Sequence, residues 1–457
     1  MSSPTFGYLT PENLALFTDR YELTMLQGYH AQGHNPRATF SLFFRDLPDQ
    51  RGYAIAAGLE QVLHYVETLE FGDRALTYLA EAGFSDPFLD ELADFSFSGE
   101  IWGVPEGTPV FPDEPILEVT APIFEAQLLE TAVINQVGFQ TLVATKARRM
   151  RDAVERLGDG QSLVDFGSRR AHGTDAGLKA ARAAYIGGFT GTSNDAAAEA
   201  FDIPAFGTMA HSWIQSFPTE REAFVAFVEE YGAESTLLID TYETVAGAKL
   251  AVDVAEEQGV PLGGVRLDSG DLAALSKEVA DIVGDADIFV SSGLDEFEIA
   301  EFLARGGVAD GFGPGTKLVT SADQSSLDAV YKLVAVEHDG EMQPTMKLSS
   351  GKVTYPGPKS VRRVEEDGKP VEDVLGIRGE EGPGAELLQP VVENGTLVGE
   401  SPSLDVCRDR ALDQLRRFDE RYRSLERPER YQVRISDGLS SLTDELQQAL
   451  EAQLERR

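Results

Sequence analysis

Three things are nearly missing from this 457-residue chain: cysteine, lysine and any long apolar run. The single Cys407 excludes an intramolecular disulfide and a cysteine-based structural zinc site, which fits a reducing compartment. Only ten of the 39 basic residues are lysine, and they stand against 77 Asp and Glu, so the formal charge at pH 7 is −38. Affinity for a phosphate polymer comes from clustered cations, so nucleic acid is not an expected partner. An acid-rich, lysine-poor surface stays hydrated where salt screens charge over a few ångströms, and points to a high-salt-adapted organism. No stretch approaches the roughly 18 apolar residues of a membrane span. The N-terminus, MSSPTFGYLTPENLALFTDRYE, has no basic region leading into an apolar one. The expectation is a cytoplasmic protein with no membrane partner.

What is present is ample core material. At 42% hydrophobic and 9% aromatic the chain is too apolar for an acidic disordered protein, and its length suits two or three domains. Residues 122 to 157 keep apolar positions at spacings of three and four, which predicts one long amphipathic helix ending at Gly158-Asp159-Gly160. From there to about residue 318, a unit of roughly 25 residues recurs in which a short apolar strand ends in small or polar residues and a helix follows. SLVDFG precedes a helix at 174 to 186, GGFTGTSN one at 195 to 201, and AFGTMAHS one at 219 to 231. STLLIDTYE, GGVRLDSGD and DIFVSSGLD precede helices at 244 to 258, 271 to 283 and 296 to 305, and ADGFGPGTKL closes the series. Seven strands alternating with helices predict an α/β fold with a parallel sheet, either closed or open. An irregular seven-stranded (β/α) barrel over 122 to 325 is favoured, because the polar residues gather at the strand ends where such barrels carry their chemistry.

Outside that region, residues 1 to 121 are expected to form an N-terminal α+β domain. Stretches such as ATFSLFFRDLP and EIWGVPEGTPVFPDEPILEV look antiparallel. Residues 326 to 457, β-rich (VYKLVAVEHDG, KVTYPGP) and then helical, are expected to pack back on it. DVLGIRGEEGPGAE at 373 to 386 reads as an exposed loop.

The expected strand ends are Asp165, Thr192, His211, Asp240, Asp268, Ser292 and Thr316. Asp240 and Asp268 can hold Mg²⁺ or ribose hydroxyls, or simply cap the helices they precede. Arg266 leaves its strand on the same face as Asp268 and suggests recognition of a carboxylate or phosphate. His211 is the only one of six histidines at a strand end, and is either a satisfied structural group or a nucleophile or base. Phe166 and Arg169 in VDFGSRR offer a flat apolar face and a planar cation to an aromatic ring, or else a core Phe beside a surface Arg. GFGPGTKL lacks Walker A spacing and either cradles phosphate on backbone N–H groups, with Thr316 adding a hydroxyl, or is a plain tight turn. Local charge reverses twice, to +3 over 144 to 173 and +2 over 311 to 363. Both islands are expected to face a multiply charged anion, with interface salt bridges as the alternative. His30 and His34, four residues apart, have no third ligand to make a metal site.

TDRYELTM at 18 to 25, DFGSRR, FTGTSN, GTMAHS, LIDTYE, VRLDSGD, SSGLDE and GFGPGTKLVT, in this order, resemble the nicotinate phosphoribosyltransferase family over about residues 10 to 360. The resemblance implies an irregular barrel plus an α+β domain, and a homodimer with shared active sites. It implies transfer from phosphoribosyl pyrophosphate to nicotinate, with Mg²⁺ and coupled ATP hydrolysis, in NAD biosynthesis. His211 would then be the histidine that ATP phosphorylates, and Asp268 would act beside it. Tyr21, from the other subunit, would stack with Phe166 around the pyridine ring, while Arg169, Thr208 and Arg266 orient it. Asp240 and Asp268 would support Mg²⁺ and ribose, and Ser292, Gly293, Gly315 and Thr316 would hold the 5′-phosphate. In the related nicotinamide enzyme an Asp stands at the position of Ser193, so serine here favours the acid. Nicotinamide or quinolinate transfer, or a catalytically silent nucleotide-binding barrel, are the competing readings. Some relatives carry a C-terminal cysteine cluster that Cys407 alone cannot form.

Overall fold

The computed structural model describes residues 7–348 and 354–455, so Lys352 and Val353, the first two residues of KVTYPGP, lie outside it. The chain divides into two compact units, one of Met1–Thr141 with Ser326–Ser403 and Asp413–Arg457, the other of Leu142–Ser325 with Leu404–Leu412. The first division falls inside a helix, Glu130–Leu157, and not at residue 121. The expected single helix from 122 is two, because Pro122 ends a strand, Leu117–Pro122, and a short helix Ile123–Leu128 intervenes. Residues 404 to 412 join the second unit, unlike the rest of the C-terminal segment, for a local reason. The Tyr185 hydroxyl donates to Asp405 Oδ1 at 2.6 Å, and the Arg408 guanidinium stands 5.1 Å from the Tyr185 ring centre.

The second unit holds strands β1 (Ser162–Asp165), β2 (Gly191–Thr192), β3 (Thr236–Leu238), β4 (Gly264–Leu267), β5 (Asp287–Ser291) and β6 (Gly311–Gly313). They form one parallel sheet in the order β2-β1-β6-β5-β4-β3. Its helices are α1 (Glu130–Leu157, from Leu142 onward), α2 (Thr174–Ile186), α3 (Asp195–Phe201), α4 (His211–Gln215), α5 (Glu220–Tyr231), α6 (Thr244–Gln258), α7 (Leu272–Val283), α8 (Glu296–Ala304) and α9 (Thr316–Val319). This is the expected α/β architecture, with one element reduced. AFGTMAHS contributes a single parallel bridge, Ala205 to Thr192, and His211 opens α4 instead of ending a strand. Pro204 has no N–H to offer a ladder, and Gly207 two residues past the bridge weakens extension. Among the described residues no backbone pairing joins β3 to the Ala205 segment, so the ring of strands is open there.

Short strands buried on both faces explain the runs of Val, Leu and Ile in these segments. In β4 only Arg266 departs from full burial. Glycine is required at Gly313, where a Cβ would stand 2.5 Å from the Phe166 ring.

In the first unit a seven-stranded sheet runs, in spatial order, Glu341–Pro344, Val330–His338, Arg37–Phe43, Leu117–Pro122, Glu100–Gly103, Gln389–Glu393, Thr396–Leu397. All its pairings are antiparallel, so strands from 330 onward pair with those of the N-terminal segment. A second sheet holds Ala385–Glu386, Lys359–Glu366, Lys369–Ile377 and Val433–Ile435. The stretch read as an exposed loop at 373 to 386 is therefore a loop only in part. Asp373 is fully buried in the Lys369–Ile377 strand and accepts two hydrogen bonds from Arg363, at 3.0 and 2.6 Å. A paired charge can be buried, and charge and glycine content alone did not reveal the pairing.

Candidate active site

At the carboxyl end of the parallel sheet, Asp240, Asp268, Arg266 and His211 converge from three segments of the chain. Asp240 lies two residues past β3, and its Oδ2 accepts from the Asp268 backbone N–H at 2.9 Å and from the Ser269 hydroxyl at 2.6 Å. Asp268, one residue past β4, accepts the Ser291 hydroxyl on Oδ1 at 2.7 Å. Its Oδ2 lies 3.7 Å from an Arg266 nitrogen and 3.9 Å from His211 Nε2. The His211 Nδ1 is 3.1 Å from the Thr241 hydroxyl. That contact spans the opening between the Ala205 segment and β3, where backbone pairing stops.

Arg266 is held mainly by neutral acceptors. Its Nε donates to the Ser291 hydroxyl at 3.1 Å, and one terminal nitrogen donates to the Thr208 hydroxyl at 2.9 Å and the Met209 carbonyl at 3.1 Å. Burial pushes its pKa down, only partly opposed by Asp268 and Asp240. The guanidinium also stands 5.7 Å from the Phe166 ring centre. Phe166, just past β1, packs against Phe289 at 5.5 Å between centroids.

Asp165 and Thr192, the ends of β1 and β2, are both fully buried. Asp165 accepts from the Gly167 N–H at 2.7 Å and the Thr192 hydroxyl at 2.9 Å, while its carbonyl accepts from the Ser193 N–H at 2.8 Å. Burial raises its pKa against those hydrogen bonds. It thus ties the DFGSRR turn to the loop carrying Ser193. Ser193 and Arg169 are themselves exposed.

Past β5, Ser292 and Gly293 have φ of 92° and 62°. A serine there is strained, and such strain clusters at ligand sites. Past β6, Gly315 precedes α9 and Thr316 begins it. The two turns leave register neighbours, because Ser291 pairs with Gly313.

Five cations of the basic islands are turned onto carboxylates of their own unit. Lys146, Arg148 and Arg149 are buried on α1, where Glu296 takes Lys146 at 2.6 Å and Arg149 at 2.8 Å, and Arg148 meets Asp152 and Glu155. Lys359 and Arg363 lie buried in the first unit against Glu118 and Asp373. The expected anion-facing role is thus corrected for these residues: a buried cation needs a carboxylate partner, which for Lys146, Arg149 and Lys359 comes from distant sequence and for Arg148 and Arg363 from within ten residues. His30 stands 3.8 Å from Glu91, and no cluster of three or more metal-ligating side chains exists among the described residues.

Tyr21 belongs to the first unit, on the helix Arg20–Gln32, with a half-exposed ring. Burial of its hydroxyl and the neighbouring Glu130 and Glu22 push its pKa up. Thr241, Ser269 and Ser291 are polar partners that sequence reading passed over. Each directly follows or precedes a strand-end residue, which was the available signal.

One feature bears on a metal. Asp240 Oδ1 is buried and has no hydrogen-bond partner among the described residues. A bare carboxylate oxygen is costly unless something binds it, and Mg²⁺ takes one or two protein carboxylates while substrate phosphates and water complete its shell. The residues therefore fit such an ion.

Three family models match. The nicotinate phosphoribosyltransferase (NAPRTase) N-terminal domain covers residues 16–138, the NAPRTase family 161–374, and the nicotinate phosphoribosyltransferase C-terminal domain 384–443. A nicotinate phosphoribosyltransferase of Mycobacterium tuberculosis is 46% identical over 435 residues, 93% of this chain and 92% of the relative. That of Bacillus subtilis is 39% identical over 93% of this chain and 94% of its own length. The crystal structure of human nicotinic acid phosphoribosyltransferase superposes with a TM-score of 0.83 at 30% identity, covering 94% of this chain and 99% of that one.

Proposed function

The chain belongs to the nicotinate phosphoribosyltransferase family, and on that premise we propose how its strand-end cluster carries out the reaction. Its substrates are nicotinate and phosphoribosyl pyrophosphate. The pyridine nitrogen bonds to the anomeric carbon as the bond to pyrophosphate breaks, giving nicotinate mononucleotide. The protein's part is to position the reactants and to stabilise charge that develops on the ribosyl carbon and the leaving group.

Arg266 carries this reading. A guanidinium fixed by Thr208, Met209 and Ser291 and stacked near Phe166 presents its charge beside an aromatic face, as a pyridine carboxylate requires. Arg169 adds a second, exposed cation, and an uncharged Ser193 leaves the substrate's carboxylate unopposed. Asp268 faces the ribose and its emerging charge. Asp240 and Asp268 would hold Mg²⁺, which neutralises pyrophosphate when bound. The Ser292-Gly293 and Gly315-Thr316 turns receive the 5′-phosphate.

ATP hydrolysis is coupled through His211. The γ-phosphoryl group passes to a ring nitrogen as ADP leaves, and water later releases phosphate. Thr241 on one side of the ring and Asp268 on the other favour a fixed imidazole. The active form is a homodimer in which the partner subunit's Tyr21 completes the ring pocket. The net charge of −38 suits a cytoplasm rich in salt, and no helix among the described residues is long and apolar enough to cross a membrane.

The test offers nicotinate, nicotinamide and quinolinate with phosphoribosyl pyrophosphate, with and without ATP, in molar KCl. Turnover is expected with nicotinate and enhanced by ATP; none with nicotinate sinks the reading. His211→Ala is expected to abolish ATP hydrolysis and leave slow ATP-independent transfer. Unchanged ATPase activity rejects the phosphohistidine.

A further inference from the structure

Lys317 follows Gly315-Thr316 directly, where a glycine-rich loop would offer a lysine to phosphate. Its side chain is engaged elsewhere. Nζ lies 2.8 Å from Asp295 Oδ2 and 3.6 Å from Glu298 Oε1. Asp295 is anchored in turn, since its Oδ1 accepts the backbone N–H groups of Phe297 and Glu298 at 3.0 Å each and caps α8. The next residue, Glu296, is fully buried and carries Lys146 and Arg149 from α1, while Lys146 also reaches Asp323 at 2.8 Å.

The placement has an electrostatic consequence. Asp295 and Glu296 follow the Ser292-Gly293 turn within three residues, and two uncancelled carboxylates there would repel a phosphate dianion. Lys317, Lys146 and Arg149 cancel them. If Lys317 swung toward phosphate instead, it would leave Asp295 bare, with 13% of its side chain exposed, beside the incoming anion. Burial works against charge on both partners. Even so, Lys317 is held above its ordinary pKa by Asp295, and Asp295 below its own by Lys317 and the Glu298 N–H.

We propose that the Asp295–Lys317 pair is a strut between the two turns, holding Ser292-Gly293 and Gly315-Thr316 at the spacing of one phosphate monoester, with Lys317 as a positioning residue and not a phosphate ligand. The proposal rests on the reading of those turns as the 5′-phosphate site. It follows from topology: β5 and β6 are register neighbours, and one side chain from each following segment closes the bracket.

The experiment is steady-state kinetics on the full chain with each substrate varied, for Lys317→Met, Asp295→Asn, their double variant, Lys317→Arg and Thr316→Val. Asparagine retains the cap on α8, and melting temperatures are read alongside. Each single strut variant is expected to raise the KM for phosphoribosyl pyrophosphate about tenfold and leave that for nicotinate within about twofold. The double variant should be no worse than the worse single one, and Lys317→Arg should recover most of the loss. A raised KM for Lys317→Met with none for Asp295→Asn would make Lys317 a direct ligand and overturn the strut. So would unchanged values for both while Thr316→Val is impaired. If Thr316→Val has the parent's KM, the phosphate-site reading itself fails, and the strut with it.

Discussion

Two sets of cations in the second unit come from the same scarce supply and have opposite surroundings. Lys146, Arg148 and Arg149 are buried and meet carboxylates at 2.6 to 3.2 Å. Arg266, also largely buried, donates its short hydrogen bonds to hydroxyls and a carbonyl, and its nearest carboxylate oxygen is 3.7 Å away. A cation closed on a carboxylate has its charge cancelled. One held by neutral acceptors is oriented yet still charged, so it remains available to an anionic ligand. Counting cations along the chain does not separate the two; their partners do.

The largest expected effect would break the helical set. Glu296→Ala leaves two buried cations short of a partner and should cost about 3 to 5 kcal/mol, read as a lowered denaturation midpoint. A loss under 1 kcal/mol would mean that Lys146 and Arg149 are satisfied without it. Next is Arg266→Lys, which keeps the charge but loses the fork and its neutral anchors. It should lower kcat/KM for nicotinate about 100-fold, roughly 2.7 kcal/mol, with little change in stability. Equal damage to stability and activity would place Arg266 with the structural set.

The smallest effect concerns pH. Burial raises the Asp165 pKa above 3.8, so the folded state binds this proton more tightly than the unfolded one. Its contribution to stability is full below that ordinary value and is lost as pH rises through the raised one. Asp165→Asn should flatten the fall of stability with rising pH in the window just above 3.8, measured by denaturant melts at several pH values. An unchanged slope would show that Asp165 titrates as it does when unfolded.

Much of the fold was legible because the alternation of short apolar runs with amphipathic stretches leaves few topologies open. The helices Thr174–Ile186, Asp195–Phe201 and Thr244–Gln258 begin and end where periodicity places them. AFGTMAHS misled because apolar character suggests a strand while Pro204 and Gly207 withhold the ladder, leaving Ala205 a lone bridge. The strand-end cluster could be nominated for the same topological reason that the fold could: parallel strands bring their carboxyl ends to one side. Which nominee touches which could not, since Thr241 meeting His211 and Ser291 meeting both Arg266 and Asp268 depend on side chains 23 to 30 residues apart.

Composition and motif order by themselves determined that the chain is acidic, free of disulfides and built on a parallel α/β sheet, with Arg266, Asp240 and Asp268 at or just past its strand ends and His211 nominated beside them. Only the tertiary structure decided which charges cancel one another and which stay available. Ion pairing acts over a few ångströms of space, and Lys146 finds Glu296 across 150 residues of chain by a distance of 2.6 Å.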